Sequence, residues 1–232
     1  MVRGVIFDLD GTLADTRADL AASVNAMLAR MGLPQREERV IVSFIGEGAE
    51  RLIRRSLGPQ HENRYPEAAP IWRDEYAKRL LDQTHLYAGI DEVLRTPPHN
   101  RAVLTNKPGG FARQILRGLG IDGAFSAVRG GDEGPRKPAP DGLLQLCEAL
   151  QIPANEGLLV GDSAVDLATG KAAGVRVCAV LWGLGDAAQL AEADYICATP
   201  RDLCALLARL VNAGSGGGSH GPDPVGTAWR DT

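Results

Sequence analysis

The sequence predicts an α/β protein with a doubly wound, mostly parallel sheet and a small all-helical domain inserted after the first strand. Two observations predict this fold class: short apolar runs alternate with segments of helical periodicity, and one long stretch breaks the alternation. The runs are nearly continuous in apolar residues, as expected for parallel strands covered on both faces. The predicted strands are residues 2–7, 101–105, 124–128, 157–161, 175–181 and 193–197.

Segments of helical periodicity lie between these strands. Residues 111–120 and 140–150 repeat apolar side chains at helical spacing, and Gly120 is a stop signal for the first of them. Residues 201–211 fit a final amphipathic helix. Strands that alternate with helices in this way predict helices on both faces of one parallel sheet.

The stretch 14–84 contains helical patterns and no convincing strand. The first pattern is closed by Gly32, and the second is interrupted around Gly46–Gly48. A third pattern, about 67–81, follows Pro66. We therefore predict an all-helical cap domain that interrupts the core after its first strand.

The predicted boundaries follow from these patterns. The core comprises residues 1–13 and 85–212, and the cap comprises 14–84. From Gly214 onward, apolar content falls and Gly and Pro dominate. We therefore expect a flexible tail at 213–232.

Composition argues against a nucleic-acid-binding, a membrane-spanning or a secreted protein. Lys and Arg number 25 and Asp and Glu 29, for a net charge of −4, which argues against a general nucleic-acid-binding protein. No apolar run is long enough to cross a bilayer, and carboxylates interrupt the first apolar stretch, unlike a signal peptide. The four cysteines form no CxxC pair and indicate reduced thiols in a cytoplasmic protein. We expect a monomer or homodimer.

Two carboxylates, Asp8 and Asp10, follow the first predicted strand and precede Gly11. In extended backbone, residues two apart point to the same side. Carboxylates so close repel each other unless a cation or proton intervenes, and Mg²⁺ is a hard cation that prefers oxygen ligands. Ligands also bind at the carboxyl ends of strands in open α/β sheets. The alternative is a polar turn without chemistry.

A hydroxyl and an amide, Thr105 and Asn106, follow another predicted strand and precede a Gly-rich turn into a helix. Such a turn presents backbone N–H groups to phosphate oxygens, and the hydroxyl adds a donor. Further along, Pro138 keeps the backbone of Lys137 extended, so that its ammonium can present a fixed charge to a phosphate or carboxylate. Taken singly, each of these features is also common in turns and loops that bind no ligand.

Two further acids follow the strand at 157–161. Asp162 is a candidate metal ligand, and Asp166, one helical turn later, is placed to orient Lys137 or a metal-bound water. Asp162 has a competing interpretation as a simple helix N-cap. The clusters follow separate strands of one parallel sheet, so all should open on one edge. Together they indicate a phosphoryl-transfer site.

On these residues the chain resembles the haloacid dehalogenase superfamily of phosphohydrolases, and within it the phosphoglycolate phosphatase-like members. FDLDGTLADT resembles the first motif, LTNKP the second, RKPAP the third and VGDSAVDLATGKAAG the fourth. The resemblance covers about residues 1–211. It implies a Rossmann-like core of that superfamily with a helical cap that closes over the site and excludes water.

The resemblance also implies roles for the acids. Asp8 would be the nucleophile that receives the phosphoryl group, and Asp10 the general acid and then the general base. Mg²⁺ would bind Asp8, the Asp10 main-chain carbonyl and Asp162. Asp166 would support the metal site or Lys137.

The groups implied to bind the substrate come from the core and the cap. The transferring phosphoryl group would be held by Thr105, the Asn106 backbone and Lys137. The cap would recognise the leaving group, and Arg51, Arg54 or Arg55 could pair with a substrate carboxylate. The alternative for these arginines is a solvated helix face.

The predicted function is a Mg²⁺-dependent phosphomonoesterase that acts on a small organic phosphate, with 2-phosphoglycolate as the first choice. The alternatives are a phosphatase for a sugar phosphate, a nucleotide or pyrophosphate, and a phosphoglucomutase-type isomerase. A non-catalytic binding protein on the same fold is a further alternative, although the catalytic residues of the motifs are all present.

Overall fold

The computed structural model describes residues 1–212. Its strands are β1 (Gly4–Phe7), β2 (Ala14–Asp15), β3 (His85–Leu86), β4 (Arg101–Leu104), β5 (Ala127–Arg129), β6 (Gly157–Gly161), β7 (Arg176–Val180) and β8 (Tyr195–Cys197). The main sheet has the strand order β5-β4-β1-β6-β7-β8, and all neighbouring strands in it are parallel. The predicted α/β class with a parallel sheet is confirmed.

Helices flank this sheet and fill the insertion. They are α1 (Arg17–Arg30), α2 (Glu38–Val42), α3 (Ala49–Leu57), α4 (Tyr65–Arg79), α5 (Ile90–Arg95), α6 (Gly109–Gly118), α7 (Asp141–Ala149), α8 (Ala164–Ala173) and α9 (Pro200–Asn212). We call the helices α1 to α4, with the segments that join them, the cap. Within residues 1–212, no helix combines the length and apolarity that crossing a membrane requires.

The two faces of the sheet are covered by separate apolar clusters. On β1, Ile6 packs in the cluster that includes Leu143 of α7, whereas Val5 and Phe7 belong to the other cluster. This division arises because successive side chains of a strand point to opposite faces. The second cluster continues into α1 and α4, so the sheet and the cap share apolar packing.

Three details differ from the sequence-based expectation. A short antiparallel ribbon pairs β2 with β3 where the chain enters and leaves the cap, although no strand was predicted at either position. Strand β5 begins at Ala127 rather than 124, because Asp122–Ala124 form a 3₁₀ turn. Helix α5 was not predicted. The expected tail at 213–232 lies outside the described residues.

Aromatic packing joins the cap to the core. Trp72 and Tyr76 stack on α4, with ring centroids 5.2 Å apart. Phe111 of α6 packs edge-on against both rings, with centroid distances of 6.0 and 5.0 Å. All three side chains are buried, so this contact excludes water between the cap and the core.

Asp19 of α1 fixes the point at which the chain leaves the cap. Its buried carboxylate accepts hydrogen bonds from the backbone N–H groups of Gln83 and Thr84 and from the Thr84 hydroxyl. The donors precede β3, which leads back to the core. Asp19 thereby holds the segment that leads from the cap back to the core against helix α1.

Glu75 of α4 lies at the centre of a charge cluster in the cap. Its carboxylate accepts from Lys78 Nζ at 2.7 Å, from Arg79 Nη1 at 2.5 Å and from Arg30 Nη1 at 3.0 Å. These hydrogen bonds, with that of Lys78 first, lower the pKa of Glu75 to about 2. Because this pKa is depressed, the cluster stabilises the fold above the unfolded value of 4.5, and its contribution is lost as pH falls from there toward 2.

Glu75→Gln should lower the free energy of unfolding by about 1 to 2 kcal/mol at pH 7, since three cations lose their ionised partner and two of them are partly screened by solvent. Thermal melts should show a loss of about 2 to 8 °C. The difference from the unmodified protein should shrink as the pH is lowered below 4.5. Glu67→Gln, which removes an exposed partner of Arg64, is the control and should leave the melting temperature unchanged. A destabilisation that stays constant from pH 7 to pH 3 would contradict the ionic origin.

Candidate active site

The candidate site lies at the carboxyl ends of the central strands. Asp8 follows β1, Thr105 follows β4 and Asp162 follows β6, and β1 lies between the other two strands. Lys137 comes from the segment between β5 and α7. The structure thus brings residues from all four sequence clusters to one edge of the sheet, where ligands bind in open α/β folds.

Asp8 and Lys137 form a buried ion pair at the centre of this edge. Lys137 Nζ lies 2.9 Å from Asp8 Oδ1, which also accepts from the Leu9 N–H at 2.7 Å. Burial raises the pKa of Asp8 to about 8, against the opposing effect of Lys137. An ionised Asp8 in this site therefore depends on positive charge close to it.

Asp166 holds the other side of Lys137. Its Oδ1 lies 2.6 Å from Lys137 Nζ. Its Oδ2 accepts from the hydroxyl of Ser163, which in turn caps the first turn of α8 through the Asp166 N–H. Ser163 is therefore the N-cap of this helix, and the N-cap interpretation of Asp162 does not hold.

The carboxylate of Asp162 is held by the loop that follows β7. Its Oδ2 accepts from the backbone N–H groups of Leu184 and Gly185, at 2.6 and 3.2 Å, and its Oδ1 accepts from the Thr12 hydroxyl at 3.2 Å. A Cβ on Gly185 would lie 1.9 Å from the carbonyl oxygen of Asp162, so only glycine fits there. The sequence analysis missed this loop, because its polar contacts come from backbone atoms.

Three buried carboxylates lie close together at this edge, and Lys137 contacts two of them. Ligand oxygens of Asp8, Asp162 and Asp166 all lie within 4.8 Å of one another, and Lys137 is the ammonium that contacts Asp8 and Asp166. Burial and the charge of Asp166 raise the pKa of Asp162 to about 6. This excess of buried negative charge and the all-oxygen donor set fit a hard divalent cation such as Mg²⁺.

The side chain of Asp10 makes separate contacts on the cap side. Its Oδ1 accepts from the Thr16 hydroxyl at 2.6 Å and lies 3.0 Å from Lys107 Nζ. Lys107 Nζ also donates to the Tyr76 hydroxyl of the cap at 2.8 Å. The sequence analysis quoted Lys107 only as part of a motif, since no local pattern showed that it would contact Asp10.

Thr105 and Asn106 lie beside Asp8 at the end of β4. Thr105 Oγ1 accepts from the Lys107 N–H at 3.2 Å, which leaves its own hydroxyl proton free to donate. Asn106 Nδ2 donates to the carbonyl oxygens of Gly46 and Lys137, both at 3.0 Å. The Asn106 side chain therefore links the cap to the segment that carries Lys137. Its buried Oδ1 has no partner among residues 1–212.

The cap arginines lie away from this centre. Arg51 pairs with Glu47, as does Arg55 at 2.5 Å. Arg54 pairs with Glu50 at 3.0 Å and covers the ring of Tyr65, with 4.2 Å to the centroid. The side chain of Arg51 is 60% exposed, and no arginine among residues 1–212 lines the cavity beside Asp8 and Asp10. The structure thus places these arginines on the solvated helix face that was the alternative interpretation.

A small cavity separates the cap from the core above Asp8 and Asp10. It measures about 30 Å³, which is space on the order of two water molecules. Its lining residues are Asp8, Asp10, Leu20, Ile45, Gly46, Gly48, Ala49, Leu52, Trp72, Thr105, Asn106, Lys107 and Pro108. A second, wider space of about 440 Å³ adjoins Asp8, Asp10 and Asp162 on the other side. Residues of the cap line one side of this cavity, so the cap covers Asp8 and Asp10 from that side.

The chain is similar to known proteins over most of its length. A family model described as haloacid dehalogenase-like hydrolase matches residues 5–180. Relatives from Nitrosospira multiformis and Chromobacterium violaceum, both named phosphoglycolate phosphatase, are 36% identical over 202 and 201 residues. These alignments cover 83% and 82% of this chain and 89% of each relative.

Solved structures share the fold. A crystal structure described as a predicted phosphoglycolate phosphatase from Haemophilus somnus matches with a TM-score of 0.81 at 29% identity, over 88% of this chain and 97% of that chain. A haloacid dehalogenase-like family hydrolase from Streptococcus pneumoniae matches with a TM-score of 0.79 at 25% identity, over 88% and 98% of the two chains. The similarity therefore spans the sheet and the cap together.

Proposed function

Because the chain belongs to the haloacid dehalogenase-like hydrolase family and is a phosphatase, we propose that it hydrolyses a small phosphate monoester, 2-phosphoglycolate, through a phosphorylated Asp8. The observation that carries this proposal is the buried Asp8 beside Lys137, within a cluster of carboxylates, with Asp10 next to it. A nucleophile, an anion-binding cation and a candidate proton donor are thus within one site.

In the first proposed step, the Asp8 carboxylate attacks phosphorus, and the bond from phosphorus to the ester oxygen breaks. Asp10 donates a proton to the departing oxygen, so that glycolate leaves as an alcohol. Thr16 and Lys107 both hold Oδ1 of Asp10, which leaves Oδ2 to carry the proton. Lys137 and the free hydroxyl proton of Thr105 stabilise the charge on the phosphoryl oxygens.

In the second proposed step, water replaces Asp8 on phosphorus. Asp10, now ionised, takes a proton from that water, and the water oxygen attacks phosphorus. The bond between phosphorus and the Asp8 oxygen breaks, which releases inorganic phosphate and restores the carboxylate. Atoms and charge therefore balance over the two steps, and Asp10 returns to its protonated form.

We propose Mg²⁺ as the cofactor. Asp8, Asp162 and the main-chain carbonyl of Asp10 would hold the ion, with Asp166 supporting the site. When bound, Mg²⁺ would neutralise negative charge of the phosphate and the carboxylates, which lets them approach each other. The buried acidic cluster supports this assignment, since its repulsion needs a compensating cation.

The test is release of inorganic phosphate from 2-phosphoglycolate, a hexose phosphate, a nucleoside monophosphate and pyrophosphate. We expect release that requires Mg²⁺, stops with EDTA and returns with excess Mg²⁺. The kcat/KM for 2-phosphoglycolate should be the highest of the panel, by about tenfold or more. Preference for another ester would retain the mechanism and overturn the substrate. Conversion of a sugar phosphate to its isomer without phosphate release would favour the mutase alternative.

A further inference from the structure

We propose that Lys107, Trp72 and the N-terminus of α3 form a binding site for a carboxylate on the leaving group. The preferred substrates would then be small phosphate esters of 2-hydroxycarboxylic acids. This inference rests on the phosphatase function proposed above and assigns its specificity to residues that the sequence analysis did not single out. All three groups line the cavity above Asp8 and Asp10.

Lys107 supplies a buried positive charge. The residue is 5% exposed, and its Nζ contacts Asp10 Oδ1 and the Tyr76 hydroxyl. An ammonium group has three protons, so one donor remains after these two contacts. Lys137 lies beside Asp8, where the phosphoryl group would be bound. Lys107 is therefore available to bind another part of the substrate.

Trp72 supplies a buried donor without a partner. The residue is 3% exposed, and its Nε1–H forms no hydrogen bond within the part of the chain that the structure describes. Its ring is fixed between Tyr76 and Phe111, so it cannot easily turn toward water. An indole nitrogen donates and never accepts, and leaving it unpaired is unfavourable. A ligand with acceptor atoms would satisfy it.

Helix α3 supplies further donors. It begins at Ala49, and both Gly48 and Ala49 line the cavity. The first N–H groups of a helix have no partner within it and carry partial positive charge. No side chain caps this end within the described residues. The cap side of the cavity thus presents N–H donors, while Leu20, Ile45 and Leu52 make the rest of that side apolar.

These donors favour an anion, and their position indicates where the anion lies on the substrate. Lys107 Nζ is 3.0 Å from Asp10 Oδ1, and Asp10 protonates the ester oxygen in the proposed reaction. A group bound by Lys107 therefore lies next to the ester oxygen. A carboxylate on the carbon that bears the phosphate fulfils this condition, and it can accept from Lys107 and Trp72 at once.

The test compares 2-phosphoglycolate with ethyl phosphate, which has a methyl group where 2-phosphoglycolate has its carboxylate. The measured quantity is the ratio of kcat/KM for the two esters. Lys107→Met should lower this ratio by about 10- to 100-fold, because a charged hydrogen bond is lost. Trp72→Phe keeps a ring and removes the N–H, and it should lower the ratio by about tenfold.

Arg51→Met is the matched control, because it removes an exposed cation from the first turn of α3 itself. Its ratio should equal that of the unmodified protein. A ratio that falls in Arg51→Met, or an equal loss for both esters in Lys107→Met and Trp72→Phe, would overturn the inference. Equal loss would mean that Lys107 only positions Asp10. A lack of preference for 2-phosphoglycolate in the unmodified protein would overturn the inference and leave the phosphatase function standing.

Binding measured without turnover tests the carboxylate-binding site separately from the proposed phosphatase function. In an Asp8→Asn background, calorimetry with Mg²⁺ and 2-phosphoglycolate should show affinity that Lys107→Met and Trp72→Phe each weaken by about tenfold or more. Unchanged affinity in both double variants would overturn the carboxylate site. Failure of the unmodified protein to release phosphate from either ester would instead overturn the proposed function, whatever the binding result.

Discussion

Asp8→Asn is expected to abolish phosphate release, with a loss in kcat of at least about 10,000-fold, because the variant has no carboxylate to accept the phosphoryl group. Asn keeps the shape of the side chain and a carbonyl oxygen that can accept from the Leu9 N–H. Lys137 keeps Asp166 as its partner. The fold should therefore be retained, and the melting temperature should not fall.

The readout is phosphate release from 2-phosphoglycolate with Mg²⁺, together with a thermal melt. Asp91→Asn is the control, because it neutralises an exposed acid that pairs with Arg95 on the surface. It should retain full activity and stability. Release within tenfold of the unmodified rate by Asp8→Asn would disprove the nucleophile assignment.

Asp10→Asn should have an effect that depends on the leaving group. With 2-phosphoglycolate the rate should fall by about 100- to 10,000-fold, because an amide cannot protonate the departing alkoxide or activate water. With p-nitrophenyl phosphate, whose leaving group needs no proton, the first step should be spared. Phosphorylated Asp8 should then accumulate, since its hydrolysis still requires the base.

Burst kinetics measure this directly, as a rapid release of p-nitrophenol followed by slow turnover. Asp15→Asn provides a control close in sequence, since Asp15 pairs with Arg17 and lies outside the proposed chemistry. It should show no burst beyond that of the unmodified protein. If Asp10→Asn loses the same factor with both esters and shows no burst, Asp10 does not act as the acid.

The sheet could be predicted because its signal is local. Buried parallel strands read as continuous apolar runs, and β6 illustrates this with five buried residues in succession. The grouping of the candidate site residues followed from the same signal, because Asp8, Thr105 and Asp162 come directly after their strands. Strand ends in one parallel sheet converge, so position in the sequence was sufficient to group these residues.

Features that depend on distant pairing could not be predicted. The ribbon of β2 and β3 has two residues in each strand, and its partners are about seventy positions apart in the chain. Two residues carry no periodicity, so only the folded cap brings them together. Lys107 is similar, because its contacts to Asp10 and Tyr76 come from separate segments of the chain.

The cap arginines show how little a charge pattern decides by itself. Three arginines near a glycine loop suggested a carboxylate site, but Glu47 and Glu50 of the same short segment pair with them. Neighbouring charges of opposite sign on a helix commonly satisfy each other in solvent. The residues that do line the cavity include Trp72, whose N–H is buried without a partner among residues 1–212, and Lys107, which packs on a tyrosine ring. No local pattern in the sequence distinguishes either of them.

The central claim is that the phosphoryl group passes through Asp8, and rapid acid quench followed by mass spectrometry tests it most directly. Excess protein is mixed with Mg²⁺ and substrate for a single turnover, with the Asp10→Asn variant and p-nitrophenyl phosphate used to slow the second step. We expect the peptide that contains Asp8 to carry one added phosphoryl group, removable by hydroxylamine, at a level that matches the p-nitrophenol released. Full release of p-nitrophenol with no phosphorylated Asp8 at any time point would contradict the account.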